Sequence, residues 1–276
     1  MSIRWRYTAL VALLTILTLL VSLGPSAVSA SLVASSPPTV RAAFELNIQP
    51  GTLALEIRSS LYDAQQNLLL DDTAAAKSDL DRVTPGIETF TAALGDDPAS
   101  AATIRQNAEA AKAGAANDQV GLAAARGHIW TAMLGGAYNE AVASARNNDS
   151  ASVAAWLLLR EFRPTTRFSR PGASATLAVK KLVLGTMTPE AAVAAIDADL
   201  LDTYQSKLDA ELAVFKSASA QGLDVRQAES AAMVQGYWAI VEPAYERQAG
   251  QPARSAGGRD RCQPVHRGDV RQRHHD

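Results

Sequence analysis

Leu53, Ile57, Leu61, Ala64 and Leu68 follow one another at steps of four, four, three and four residues, which sets them on one face of a helix. The face fades at Asp71-Asp72, and Thr73 opens a second segment. Pro85-Gly86 interrupts that segment and Gly95-Asp96-Asp97-Pro98 closes it. Residues 100–147 are largely alanine with charges spaced along them. The pattern predicts two helices with a weak point between Gly114 and Asp118, and a kink or a close backbone approach at Gly135-Gly136. Asn147 to Ser150 reads as a turn, with Ser150 or Ser152 capping a short helix that carries Trp156 and three leucines. This helix is expected to end near Phe162 or Arg163, because Pro164 pushes the residue before it out of the helical region. Thr188-Pro189-Glu190 is a strong helix start. Val193, Ile196, Leu200, Tyr204, Leu208, Leu212 and Phe215 then recur at threes and fours, while Asp197, Asp199, Asp202, Lys207 and Glu211 fall mostly off that stripe. Gln221-Gly222 ends the helix. Residues 224–248 form the last one, with Met233, Tyr237, Trp238 and Val241 inward. No period-2 strand of any length is visible. The predicted fold is all-α, an antiparallel helical bundle with short loops over residues 51–250.

The two ends differ from this body. Arg4 and Arg6 precede the apolar stretch TALVALLTILTLLVSL, and GPSAVSA follows with Val28 and Ala30 at the −3 and −1 positions of a cleavage site. That is the three-part pattern of a secretory signal peptide over residues 1–30, and the apolar stretch is shorter than the roughly 20 residues of a spanning helix. Residues 31–50 are rich in Ser, Pro and Thr and read as a linker. Residues 251–276 hold six arginines, the chain's single cysteine and three of its four histidines, with no Leu, Ile, Phe, Met, Trp, Tyr or Lys. Cys262, His266, His274 and His275 match no familiar zinc spacing. The segment is expected to be a disordered tail, of the composition that a GC-rich gene gives when read out of frame.

Charge narrows the classes. Residues 31–250 carry 18 basic and 25 acidic side chains, a poor balance for neutralising phosphates, so nucleic acid is excluded as a partner. With only 5% aromatic residues and abundant alanine, the body favours close-packed helices over a sandwich.

Catalytic motifs are missing. There is no G-x-S-x-G, no Walker loop, no H-E-x-x-H and no C-x-x-C-H. His128 is the only histidine of the body and has no carboxylate three residues before it, so the Glu-x-x-His motif of di-iron bundles is absent. It reads as a partly buried helix residue. The chain is expected to be no enzyme and to hold no cofactor of its own. Glu56 and Asp63 share a helical face, and Asp197 and Asp202 flank the long helix. Paired oxygens of this kind bind hard cations, and solvated helix faces carry the same pattern, so these four are the metal candidates the sequence offers. The densest unusual feature is WLLLREFRPTTRFSRPGA, with Arg160, Glu161, Arg163, Arg167 and Arg170 within eleven residues. These arginines suit a helix C-terminus and forked pairing with carboxylates of the acidic body. Phe162 and Phe168 would pin the loop to the core. The alternatives are an anionic ligand, lipid headgroups or another domain.

The run AWLLLREFRPTTRFSRPGASATLAV, with TPEAAVAAIDADLLDTYQSKLDAEL and QAESAAMVQGYWAIVEPAYE after it, resembles the extracytoplasmic N-terminal helical domain of bacterial high-affinity iron permeases of the oxidase-coupled iron/lead type. The likeness covers roughly residues 125–248. It implies an exported accessory domain, periplasmic or on the outer face of the cytoplasmic membrane, with iron as the transported ion. Its partner would be a permease membrane domain encoded downstream or a periplasmic iron-uptake protein. The family's Arg-Glu-x-x-Glu motif is incomplete here, since Arg160-Glu161 is followed by Phe162, Arg163 and Pro164. The chain alone is therefore not expected to carry iron across a membrane. The other reading is a free-standing periplasmic helical module that binds a metal or a partner.

Overall fold

The computed structural model describes residues 49–249, apart from 96, 116, 164–169 and 171. The predicted signal peptide, nearly all of the linker, the tail, Arg167 and Phe168 lie outside the described residues. Eight helices and no strand are found among those described: α1 (Pro50–Leu69), α2 (Thr73–Ala93), α3 (Pro98–Gly114), α4 (Gln119–Arg146), α5 (Ser150–Trp156), α6 (Ala175–Val183), α7 (Pro189–Gln221) and α8 (Asp224–Ala249).

Aspartate starts four helices in succession. Asp72, Asp97, Asp118 and Asp149 each accept the backbone N–H of the residue three positions on, at 2.9, 3.0, 2.7 and 3.0 Å. Each satisfies one of the donors a helix start leaves free. Asp149 therefore caps α5, in place of Ser150 or Ser152. Thr188 caps α7 as expected, and Gly222 closes it with a left-handed φ of 65°.

Pro85 does not interrupt α2, which is continuous through it. The proline lies on the exposed side, while Val83, Ile87 and Phe90 are buried on the other side. A proline inside a helix costs about 3 kcal/mol. Burying those three side chains outweighs it, at about 1.5–3 kcal/mol each. Gly86 keeps the inner side low, and a Cβ there would lie 3.2 Å from Ile57. Helix α5 stops at Trp156, short of the expected end. Leu157 and Leu159 are buried from a turn, whereas Leu158 is exposed. Helix α6 carried no clear sequence signal.

Helix α4 is the hub. Arg58, Tyr62 and Leu68 of α1 meet Trp130, Arg126 and Gln119 of α4 in that order, so the two run antiparallel. Tyr138 and Leu134 of α4 meet Asp197 and Tyr204 of α7, again antiparallel. Gly127, Thr131 and Gly135 of α4 lie against Ala232, Gly236 and Ile240 of α8. That ascending order makes α4 and α8 parallel neighbours within an otherwise antiparallel arrangement. Small residues let them approach closely: a Cβ on Gly127 would stand 2.9 Å from both Ala232 Cβ and the Glu229 carbonyl oxygen, and one on Gly236 would collide with Thr131. Gly135-Gly136 makes no break in α4. It receives the side chains of Ile240 and Leu94, so the close approach is real and comes from side chains. Tyr204, Tyr237, Phe90, Ile104, Leu122, Ile129 and Met133 are the bulkiest wholly buried groups. Trp238, placed inward by its spacing, is 43% exposed.

Candidate functional site

The arginine-rich segment leaves α5 and crosses α7 at Asp199 and Asp202, one turn apart on that helix. Arg163 reaches Asp199 Oδ1 with Nη2 at 3.2 Å, and its Nη1 lies 3.9 Å from Asp202 Oδ2. Arg170 donates Nε to Asp202 Oδ1 at 2.7 Å, its backbone N–H to Asp202 Oδ2 at 2.9 Å, and Nη2 to the Ala198 carbonyl at 3.0 Å. Ala175, the first residue of α6, donates its N–H to Asp199 Oδ2 at 2.8 Å. Two carboxylates of α7 thus receive side-chain and backbone donors from both ends of the segment. The Asp202 side chain is only 6% exposed, which makes its charge-assisted bonds stronger than surface ones.

Glu161 turns the other way. Its Oε1 accepts Trp130 Nε1 at 2.7 Å and its Oε2 lies 2.7 Å from Lys207 Nζ. Burial pushes the Glu161 carboxyl up, but the bonds from Lys207 and Trp130, the Lys207 charge and the Tyr237 hydroxyl together hold it below its ordinary value. The Tyr237 and Tyr204 rings stack at 6.1 Å, and burial followed by the Glu161 charge pushes both phenols well above the usual tyrosine range. Glu211 is pushed up, chiefly by burial. The Ser230 hydroxyl and Arg226 oppose that shift, and the charges of Glu229 and Glu161 add to it.

A second polar centre lies between α1, α4 and α8. Arg126 and Glu229, at side-chain exposures of 6% and 8%, pair at 2.5 Å. Tyr62 donates its hydroxyl to Glu229 at 3.0 Å and its ring lies 4.0 Å from the Arg126 guanidinium. Arg226 reaches the other Glu229 oxygen at 3.1 Å, and Arg58 stacks over Trp130 at 4.0 Å. The cleft among these side chains has room for about 10 Å³, the space of a single water. It is too small for an organic ligand.

The metal candidates separate. Glu56 and Asp63 are exposed on α1. Asp197 accepts the Tyr138 hydroxyl at 3.0 Å, and Asp202 is held by Arg170 and Arg163. Among the described residues no group of three or more His, Cys, Asp or Glu side chains comes together to hold a metal. His128 is half-buried, and burial holds its imidazole below the ordinary value of 6.5. Of the five arginine-loop residues, Arg163 and Arg170 converge on α7. Arg160 bonds Thr176 Oγ1 at 2.8 Å, Glu161 faces Lys207, and Arg167 lies outside the described residues. Phe162 does not pin the loop: it is 72% exposed, with Arg160 stacked 5.1 Å above its ring. The Arg126–Glu229 pair had a sequence signal, since Arg126 stands four residues after buried Leu122 and Glu229 four before Met233. Charged residues in phase with an apolar stripe are buried and must be paired.

Fold and geometry define an all-helical domain in which the buried carboxylates Glu229 and Asp202 are paired with Arg126 and Arg170. Among its described residues no helix is long and apolar enough to cross a membrane. A family model described as the iron permease FTR1 N-terminal domain matches residues 48–260. The chain therefore belongs to the iron permease FTR1 N-terminal domain family. The matched span takes in the whole helical body and runs on into the arginine-rich C-terminal segment. No curated protein and no solved structure matches the chain.

Proposed function

We propose that the chain is the extracytoplasmic accessory domain of a high-affinity iron permease, exported by residues 1–30 and working beside permease helices supplied from elsewhere. The observation that carries this reading is the family match over a helical body with no described membrane-crossing helix. Iron is the cargo of the assembly, and the domain does no chemistry on it. The Arg163–Asp199 and Arg170–Asp202 pairs act as a structural clamp that fixes the α5–α6 crossing against α7, while Arg160 turns to Thr176 of α6. Sequencing the coding DNA from the codon for Tyr245 through the stop and well beyond tests the reading. A frame with membrane helices bearing Arg-Glu-x-x-Glu supports it. A genuine stop with no permease gene beside it contradicts it and favours the free-standing module.

A further inference from the structure

Helix α6 is apolar on two opposite sides. Ala175, Ala178 and Leu182 face inward, at 0%, 1% and 5% exposure. On the other side Leu177, Val183 and the C-cap residue Leu184 are 48%, 63% and 63% exposed. With Thr176 and Lys180, which are also exposed, they fall within one arc of about 120° at 3.6 residues per turn. The surface continues through Arg160, which bonds Thr176 and stacks on exposed Phe162. An ordinary surface helix carries polar residues on this side.

Charge separates this face from the rest of the body. Residues 158–184 hold six basic side chains and one acidic one. Arg163 and Arg170 are taken up by Asp199 and Asp202 of α7, and Arg160, Lys180 and Lys181 are the cations beside this face, in a body that is otherwise rich in acids. The single acid, Glu161, is turned inward to Trp130 and Lys207. Exposed Leu69 and Leu70, by contrast, lie beside Asp71 and Asp72. Large apolar groups interleaved with cations match a bilayer interface, where apolar side chains enter the headgroup boundary and Lys and Arg stems reach anionic headgroups. A second copy bound through the same face would set Arg160 and Lys180 against their own counterparts or close to them.

We propose that the outer face of α6, together with Arg160 and Phe162, docks this domain onto the anionic surface of a lipid bilayer. The inference goes beyond the accessory role and stands whatever ion the assembly carries.

The test uses the full chain with Cys262→Ser and Val183→Cys, labelled at residue 183 with an environment-sensitive fluorophore. A control carries the label at exposed Lys77 of α2 (Lys77→Cys). Both are mixed with phosphatidylcholine vesicles, with or without phosphatidylglycerol, containing brominated lipid. Because residues 8–23 are themselves apolar, position-specific quenching reads the face, whereas adsorption alone does not. The proposal expects quenching and a blue shift at 183 with anionic vesicles, little with neutral ones, and none at 77. Replacing Arg160 and Lys180 with Gln should weaken vesicle binding by roughly five-fold per charge, with an unchanged circular dichroism spectrum. Absence of quenching at 183, or equal quenching at both positions, overturns the proposal. So does a blue shift without vesicles: one that grows with protein concentration assigns the face to a second copy, and one independent of concentration assigns it to another part of the chain.

Discussion

Arg126 is buried because two groups receive it, the Glu229 carboxylate and the Tyr62 ring, and Arg226 holds the other oxygen of Glu229. Such a pair adds little net stability over an apolar core, but removing one partner leaves an uncompensated charge inside. Glu229→Ala should therefore lower the unfolding free energy by about 3–5 kcal/mol, read by urea denaturation. A loss no larger than that of a surface substitution would show that water reaches Arg126. His128 has the opposite character, since burial holds it neutral. The unfolded chain binds a proton near 6.5, while the folded one does so only at lower pH. Stability is thus full above that value and falls as pH drops through it. In His128→Gln that loss should be missing, so it should be what remains in the difference between the two stability–pH curves. Glu211 contributes with the other sign, gaining stability as pH falls from its raised value towards 4.5, and it cancels in the comparison. The partly buried state of His128 was legible in the sequence because its neighbours Ile129 and Trp130 are apolar. The burial of Asp202 was not, because its place relative to the stripe of α7 depends on the donors that a distant segment brings to it.

At the scale of the elements, caps, turns and periodicity marked most helix ends. Departures occurred where tertiary packing overrode a local signal. Pro85 was read as a break, yet the buried side of α2 holds the helix through it. The three leucines after Trp156 continued a helical pattern, yet alternate burial drew them into a turn. Helix α6 escaped notice because it is only nine residues long, although Ala175, Ala178 and Leu182 keep the helical period. The glycines of α4 give a graded test. Gly127→Ala would push against the backbone of α8, so overpacking of about 1–3 kcal/mol should exceed the gain of about 1 kcal/mol from replacing a helical glycine. Gly136→Ala meets the flexible end of Leu94 at 2.8 Å and Ser100 Cβ at 3.3 Å, with no backbone atom among them, and should destabilise less. Thermal melting that ranks Gly136→Ala as the more harmful would contradict the close α4–α8 crossing. For the clamp, Asp202→Ala orphans the Arg170 backbone N–H and should cost about 1–3 kcal/mol, measured by denaturant titration. Unchanged stability would show that the segment is not held by α7.

At the scale of the whole molecule, the described residues form an acidic helical body that pairs buried Glu229 with Arg126 and buried Asp202 with Arg170, and exposes Leu177, Lys180 and Val183 on the outer side of α6. All-α architecture and family were both readable from sequence, the first from the 3.6-residue period and the second from extended phrases between Ala155 and Glu246. Which carboxylates face which arginines was not readable, since the pairs Arg163–Asp199 and Arg126–Glu229 join segments 36 and 103 residues apart. As proposed above, the chain serves iron uptake from outside the cytoplasm. Uptake of radioactive iron at limiting concentration, in cells lacking the chain and in cells with it restored, tests this most directly. High-affinity iron uptake is expected to fall sharply without the chain and to return with it, while zinc uptake does not change. Equal iron uptake in both strains would contradict it.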